Sequence, residues 1–235
     1  MTNKILQIFA KNTSTKLLTL FAIGIAAGFA ACACEDCEDS CSEINRFQRP
    51  LTNYAKTADL FKIGNKVHYV HSDGFEFNLS VIKDTTYTEN KIGFCAETSI
   101  ENRDIQLKSN EQAISIDVQF NGRIETVNEN DQTSFLTPLY VNFENTSFFA
   151  DLDSSGSPIE SEVEGHITML NTVTFNDVSY DSVFVILDSR HFNARCYNDD
   201  SSELGEPAYL YYSKSKGILK IESLNGKSIT IKEEH

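Results

Sequence analysis

Residues 208–232, AYLYYSKSKGILKIESLNGKSITIK, indicate the fold class of this chain. Apolar and polar residues alternate through ILKIES and SITIK, which is the period of a β-strand with one buried face. The dipeptides Lys216-Gly217 and Asn225-Gly226 separate the apolar segments, and glycine-containing pairs are typical of tight hairpin turns. The chain is therefore expected to close with a three-stranded antiparallel meander.

The same period of two occurs upstream of this meander. Phe75, Phe77, Leu79 and Val81 fall on one face of the segment FEFNLSVIK, which follows an Asp-Gly turn. The other segments predicted as strands are residues 105–108, 113–120, 123–127, 139–143, 147–152, 166–175 and 178–187.

Two further dipeptides predict connections between these strands. Asn121-Gly122 is expected to form a two-residue turn into RIETV, and Asn176-Asp177 is expected to form the turn before VSYDSVFVIL. About ten strands with no alternating helices argue against a parallel sheet. We therefore expect a mainly β fold, an antiparallel meander that forms a curved sheet, a half-barrel or a sandwich.

The N-terminal segment has the features of a secretory signal peptide. Residues 1–31 contain three lysines and no acidic residue, and an apolar run from Leu17 to Ala31 ends in small residues. At 15 residues this run is shorter than the roughly 20 that a membrane-spanning helix needs. The segment is therefore expected to be cleaved.

The sequence Phe29-Ala30-Ala31-Cys32 resembles the cleavage box of bacterial lipoproteins, in which small residues precede the lipidated cysteine. The resemblance implies acylation of Cys32 and a stable anchor in membrane lipid, because several acyl chains hold where one does not. Cleavage before Cys34 is the alternative, since it leaves an even set of four cysteines that could all pair. The box itself favours Cys32.

The acidic residues after these cysteines, at positions 35, 36, 38 and 39, resemble the export signal of Bacteroidota surface lipoproteins. Residues 60–69 and 211–222, the latter followed by an Asn-Gly turn, also resemble the opening and closing segments of a group of uncharacterised Bacteroidota lipoproteins. The resemblance implies a curved antiparallel sheet and a lipid-anchored location in the outer membrane, exposed at the cell surface. It implies no established activity.

Three regions follow from these patterns. Residues 1–31 are expected to be the lipoprotein signal peptide, residues 32–62 an acidic, cysteine-rich tether and leader, and residues 63–235 a single antiparallel β domain. The apolar positions of the leader permit one short helix after Pro50.

The charge of the chain restricts its partners. Without the three lysines of residues 1–31, 17 basic residues face 34 acidic ones, which is a formal charge of −17. Such a field repels nucleic acid and anionic lipid headgroups, so neither is expected to bind the surface.

The cysteines are expected to serve lipidation and disulfide bonding rather than metal binding. Cys34, Cys37 and Cys41 lie in the acidic tether beside the cleavage site, and structural zinc needs four ligands on a rigid scaffold. Cys95 and Cys196 lie next to predicted strand ends, and a disulfide between them would form in an oxidising compartment. Two separate buried thiols are the alternative.

The loop from 151 to 162 is the one local match to a cation site. Asp151, Asp153, Ser155 and Glu162 occupy positions 1, 3, 5 and 12 of a calcium loop, and Gly156 supplies the turn at position 6. Because strands rather than helices flank the loop, a polar hairpin loop is the favoured interpretation, and the protein is expected to need no cofactor unless calcium binds here.

The remaining chemistry-bearing residues form no recognisable motif. The histidines at 68, 71, 166 and 191 lack ligand spacing and are predicted to lie at the surface or rim. We expect a binding or scaffolding β domain, whose aromatic residues form the core or line a cavity for a hydrophobic or glycan ligand. The alternatives are an envelope hydrolase that uses paired carboxylates and a structural assembly partner, and the sequence leaves the oligomeric state open.

Overall fold

The structure is a computed structural model, and it describes residues 45–93, 96–127, 133–159, 165–197 and 204–233. Strands dominate these ranges, so the prediction of a mainly β fold is confirmed. The strands are β1 (Asn45–Arg49), β2 (Lys66–His71), β3 (Glu76–Gly93), β4 (Ala96–Ser109), β5 (Ser115–Asn121), β6 (Ile124–Val127), β7 (Thr133–Phe143), β8 (Thr146–Leu152), β9 (Ile167–Phe175), β10 (Val178–Leu187), β11 (Tyr209–Ser213), β12 (Gly217–Glu222) and β13 (Ser228–Ile231). The helices are α1 (Asn53–Thr57) and α2 (Ser189–Tyr197), and a single 3₁₀ turn spans Asp59–Phe61.

The strands form one curved sheet. Its order is β6-β7-β5-β4-β3-β2-β13-β12-β11-β10-β9, with β1 paired to β4 and β8 paired to β7. The last strand, β13, pairs antiparallel with both β12 and β2, so the two ends of the domain meet inside the sheet. A bridge between Phe148 of β8 and Asp188 after β10 brings the two sides of the sheet together. The sheet is therefore nearly closed and barrel-like.

The predicted hairpin turns are confirmed at four places, because the strands on either side of them pair. Gly74, Gly217 and Gly226 have positive φ angles of 88°, 75° and 79°, which glycine adopts at little cost. Asn176 and Asp177 between β9 and β10 both have positive φ, as a type I′ turn requires.

The turn predicted at Asn121-Gly122 is wrong. Both β5 and β6 pair with β7, so the chain continues in the same direction, and neither residue has the positive φ of a hairpin turn. Gly122 serves another purpose, since a Cβ there would lie 1.9 Å from the carbonyl oxygen of Arg49. The glycine therefore allows a close approach of two backbones.

The core follows the predicted alternation. Phe77, Leu79 and Val81 of β3 and their counterparts on β5 are at most 2% exposed. The largest fully buried side chains include Tyr69, Tyr212, Phe77, Phe120, Phe143 and Phe148. These aromatic residues therefore form the core, one of the two roles expected from the sequence.

The short helix expected after Pro50 is present as α1. Thr52 caps it, because its hydroxyl accepts a hydrogen bond from the backbone N–H of Ala55. Ala55 and Phe61 are buried in the core, so the segment that contains α1 and the 3₁₀ turn packs against the sheet.

Helix α2 is absent from the sequence prediction. Asp188 precedes it and accepts hydrogen bonds from the backbone N–H groups of Arg190 and His191. An aspartate in this position is a common N-terminal cap, so Asp188 is the sequence feature from which α2 could have been predicted. None of the helices in the described ranges has the length and apolar character needed to cross a membrane.

Candidate functional site

A cleft of about 570 Å³ lies where β10, the β11–β12 turn, α1 and the loop after β8 meet. Its volume falls in the range of small-molecule sites, about 300–1,000 Å³. Its lining consists of Tyr54, Ser157, Met169, Asp181, Ser182, Phe184, Ser213, Lys214 and Ser215. Five of these side chains carry a hydroxyl group, one carries a carboxylate, one carries an ammonium group, and two are apolar.

Ser182 of β10 lines this cleft. Asp181 pairs with Thr172 and Val183 pairs with Leu170, so the register is unbroken and Ser182 lies opposite Asn171, although these two residues are not themselves a ladder pair. The φ of Ser182 is 53°, in the left-handed region that costs a non-glycine residue about 1–3 kcal/mol. Strained residues of this kind cluster at active sites and binding sites.

Tyr54 forms the inner wall of the cleft. Its hydroxyl contacts the hydroxyl of Tyr212, which lies beneath it on β11. Burial raises the pKa of Tyr54, although the hydrogen bond with Tyr212 and the charge of Arg103 act in the opposite direction. Burial also raises the pKa of Tyr212 well above its usual value. Both phenols are therefore neutral at physiological pH, and each hydroxyl can donate and accept.

The ring of Tyr54 is held from two sides. Gly156 approaches it so closely that a Cβ at this glycine would lie 2.4 Å from ring atom Cγ. Phe120 packs edge-on against it, with ring centroids 6.3 Å apart and planes at 80°. The orientation of the tyrosine is therefore set by packing before any ligand binds.

A buried ion pair fixes the helix that carries Tyr54. Arg103 is 3% exposed, and its Nε and Nη2 atoms donate to the two carboxylate oxygens of Asp84 at 2.8 and 2.9 Å. Its Nη1 donates to the carbonyl oxygen of Ala55 in α1 at 2.7 Å. Such a bidentate pair has a defined geometry, so α1 is attached to β3 and β4 in one position.

Two opposite charges lie at the rim of the cleft. The hydroxyl of Thr172 donates to Oδ1 of Asp181 at 3.0 Å, and Oδ2 has no partner within the described ranges. Lys214 is exposed in the β11–β12 turn, and no carboxylate in the described part of the chain forms an ion pair with it. Beside it, the hydroxyls of Ser213 and Ser215 lie 3.1 Å apart.

The loop predicted as a calcium site also lies beside this cleft, because Ser157 lines it and Gly156 packs against Tyr54. Oδ1 of Asp153 accepts hydrogen bonds from the N–H and hydroxyl of Ser155 and from the N–H of Ser157, at 2.7–3.0 Å. Burial acts to raise the pKa of Asp153, but these hydrogen bonds lower it overall. The carboxylate thus holds a tight hairpin loop together.

The other predicted calcium ligands are Asp151 and Glu162, and the structure describes only the first of them. Asp151 is half-buried on β8, and burial raises the pKa of its carboxyl group. Glu162 falls outside the described residues. No group of three or more histidine, cysteine or acidic side chains within the described ranges is placed to hold a metal ion, and calcium binding by the complete loop stays a prediction.

The predicted cysteine sites are only partly described. Cys32, Cys34 and Cys95 lie outside the described residues. Cys196 is exposed near the end of α2, and the described ranges contain no disulfide bond. Lipidation and the pairing of Cys95 with Cys196 therefore stay predictions.

The prediction that the histidines lie at the surface or rim is wrong for three of them. His71, His166 and His191 are 4%, 2% and 6% exposed. Nδ1 of His191 lies 2.8 Å from Oδ2 of Asp188, and its Nε2 lies 3.2 Å from the carbonyl oxygen of Gly205. Because Asp188 also caps α2, this histidine belongs to a structural network.

His166 packs between aromatic rings. Its ring centroid lies 4.0 Å from that of Phe192, and the carbonyl oxygen of Phe149 binds Nε2 at 3.0 Å. Burial lowers its pKa, assisted by the positive charge of Arg195, while the bond to Phe149 acts the other way. The ring is therefore held neutral in the wall of the domain.

No protein-family model, curated protein or solved structure matches this chain. The cleft is therefore the feature from which a function is inferred. Its residues come from five separate segments, so sequence patterns did not group them, although the loop from 151 to 162, which contains Ser157, was singled out as a candidate calcium site.

Proposed function

We propose that this protein is a lipid-anchored binding protein of the bacterial outer membrane, and that its β domain holds a small ligand in the cleft beside Ser182. The anchor is supported by the lipoprotein-like box that ends at Cys32, with Cys34 as the alternative. The acidic residues that follow support exposure at the cell surface.

The observation that carries the binding proposal is the strained backbone of Ser182, a residue that lines a cleft of about 570 Å³. A serine with a φ of 53° lowers the stability of the domain, and such strain persists where a function depends on it. The neighbouring Tyr54 is pre-oriented by Gly156 and Phe120, which reduces the ordering cost of binding.

The hydrolase alternative has weaker support. A retaining or inverting glycosidase needs two carboxyl groups across the scissile bond. Among the described residues that line the cleft, Asp181 is the single carboxylate.

One observation favours the assembly alternative as a second candidate. β3 spans 18 residues, but β2 pairs only with Glu76–Ser80, so within the described ranges Lys83–Gly93 pairs on one side with β4. An open strand edge can accept a strand from another protein. Lys83, Glu89 and Lys91 place charges along this edge, which is how edge strands commonly avoid uncontrolled pairing.

The binding proposal is tested by native mass spectrometry of the full-length protein after incubation with a low-molecular-mass extract of the producing bacterium's cell envelope. The wild-type protein is expected to retain a non-covalent mass. Ser215→Trp, which places a large ring in the cleft, is expected to lose it, whereas Lys227→Trp on the exposed β12–β13 turn is expected to retain it. A wild-type protein that stays bare contradicts the proposal.

A further inference from the structure

We propose that the ligand of this cleft is a carbohydrate. The inference rests on the proposed binding function, because it names the chemical class that the same site would take.

Hydroxyl groups dominate the polar lining. Tyr54, Ser157, Ser182, Ser213 and Ser215 line the cleft, and a hydroxyl group both donates and accepts hydrogen bonds. The side chains of Ser182 and Ser215 are exposed, whereas Ser213 is buried and the Tyr54 hydroxyl contacts Tyr212. A ligand that matches this surface must also offer groups that do both. Sugar hydroxyls have this property, whereas a simple carboxylate offers acceptors only and phosphate offers mainly acceptors at neutral pH.

The two rim charges make the site unsuitable for a simple ion. An anion attracted by Lys214 would be repelled by Asp181, and a cation attracted by Asp181 would be repelled by Lys214. The surrounding chain has 34 acidic residues against 20 basic ones, and this field disfavours anions further. A neutral ligand rich in hydroxyls avoids both penalties.

Asp181 is placed to accept from such a ligand. The hydroxyl of Thr172 occupies Oδ1, and Oδ2 has no partner within the described ranges. A carboxylate oxygen accepts strong hydrogen bonds from neutral hydroxyls, so Oδ2 provides an acceptor for a ligand O–H. Lys214 provides a donor from the neighbouring turn.

The apolar part of the lining suits the C–H face of a sugar ring. Met169 is 55% exposed, and Phe184, half-buried and two residues beyond Ser182, pairs with it on the adjacent strand. An acyl chain would cover these two side chains, but it would offer no hydrogen bond to Oδ2 of Asp181 or to the ammonium group of Lys214. Leaving polar groups unpaired in this way is costly, so a purely apolar ligand fits poorly.

The test uses the full-length protein in lipid nanodiscs and saturation-transfer-difference NMR titrations. The probes are maltose, lactose, mannobiose and chitobiose, with sodium phosphate and hexanoate as the anionic and apolar comparisons. We expect at least one disaccharide to bind and neither comparison probe to bind.

Two matched pairs of variants locate the binding. Asp181→Asn is expected to weaken binding of that disaccharide by about tenfold, since a hydrogen bond to a charged group is lost. Asp177→Asn, at the exposed β9–β10 turn, removes the same charge and is expected to leave binding unchanged. Lys214→Met is expected to weaken binding, and Lys227→Met is expected to have no effect. All four positions are exposed, so equal melting temperatures verify that folding is intact.

The outcomes distinguish the two proposals. Binding of phosphate or hexanoate that Ser215→Trp abolishes, with no disaccharide bound, overturns the carbohydrate inference and leaves the binding function standing. Disaccharide binding that Asp181→Asn does not weaken also overturns the inference. If no probe binds and the cell-envelope extract adds no mass either, both proposals are wrong.

Discussion

Gly156 lies directly against the ring of Tyr54, so closely that the glycine has no room for a side chain. The two residues are 102 positions apart, yet they pack against each other beside the cleft that Tyr54 lines. A loop that resembles a calcium site in sequence is thereby tied to the short helix of the leader. This contact explains why a glycine is required there beyond its positive φ of 89°.

The contact predicts a large effect of Gly156→Ala. The new Cβ would overlap the Tyr54 ring, and the alanine would have to adopt a left-handed backbone conformation. We therefore expect a loss of about 3 kcal/mol in the free energy of unfolding. Gly226→Ala is the control, because it has a φ of 79° and nothing within 4 Å, and it is expected to lose only about 1 kcal/mol. Urea denaturation measures both variants, and equal losses would contradict the proposed contact.

The buried ion pair predicts strong coupling between two strands and α1. Arg103→Met leaves Asp84 without its partner in a poorly solvated position, so we expect a loss of about 3–5 kcal/mol. Replacing both residues, as Arg103→Met with Asp84→Leu, is expected to recover much of this loss because no uncompensated charge remains.

The control for this experiment is the exposed pair between Lys83 and Asp104 on the same two strands, whose nitrogen and oxygen lie 3.5 Å apart. Lys83→Met is expected to cost less than about 1 kcal/mol. A double variant no more stable than Arg103→Met would show that the pair itself stabilises the domain.

The contacts of Glu101 predict that the free energy of unfolding depends on pH. A hydrogen bond from Lys56 and another from the backbone N–H of Leu51 hold the pKa of its carboxyl group below the usual 4.5. Because the folded pKa is the lower one, its contribution to stability is present above about pH 4.5 and is lost as the pH falls through the folded pKa. Glu101→Gln is therefore expected to lower stability at neutral pH and to flatten the decline on acidification.

The measurement is the urea midpoint as a function of pH for wild type and Glu101→Gln. Glu111→Gln, on the exposed β4–β5 loop, removes a charge without these contacts and serves as the control. Parallel curves for wild type and Glu101→Gln would argue against the assigned role.

The hydrogen bonds that Asp188 accepts predict that this residue stabilises the start of α2. Its carboxylate accepts four hydrogen bonds, from the backbone N–H groups of Arg190, His191 and Ala208 and from the His191 ring. Asp188→Ala leaves these buried donors unpaired, so we expect a loss of about 3 kcal/mol or more. Asp188→Asn retains one acceptor oxygen but directs an amide at a donor, and an intermediate loss is expected.

Hydrogen exchange separates a local effect from a global one. In Asp188→Ala, we expect amide exchange in α2 to accelerate relative to the wild-type protein more than amide exchange in β5. Uniform acceleration across both elements would mean that this network stabilises the whole domain rather than the helix start.

The lipid anchor is a prediction from the sequence. Replacing Cys32 and Cys34 together with alanine is expected to end incorporation of labelled fatty acid and to release the protein from membranes. Mass spectrometry of the mature N-terminal peptide distinguishes the two cysteines, because the acyl mass resides on the new first residue. Persistent labelling of the double variant would refute the lipoprotein interpretation.

Local patterns predicted much of the fold. The positions on either side of Asp73-Gly74 and Asn225-Gly226 pair as hairpins because both the turn residues and the strand period are properties of neighbours in the chain. The same reasoning failed at Asn121-Gly122, where the need for close contact with Arg49 overrides the turn propensity of the dipeptide. It also missed α2, whose nine residues lack a clear apolar face.

By itself, the sequence determined the β class of the domain, four of its hairpin turns and its acidic character, because these follow from residues close together or from composition alone. Only the tertiary structure decided that β13 pairs with β2 and that Tyr54 meets Tyr212, 158 residues later. Such contacts depend on how the whole sheet curves, and no short segment encodes its curvature. The cleft is therefore a property of the assembled domain, since segments far apart in the chain must fold together before its surface exists.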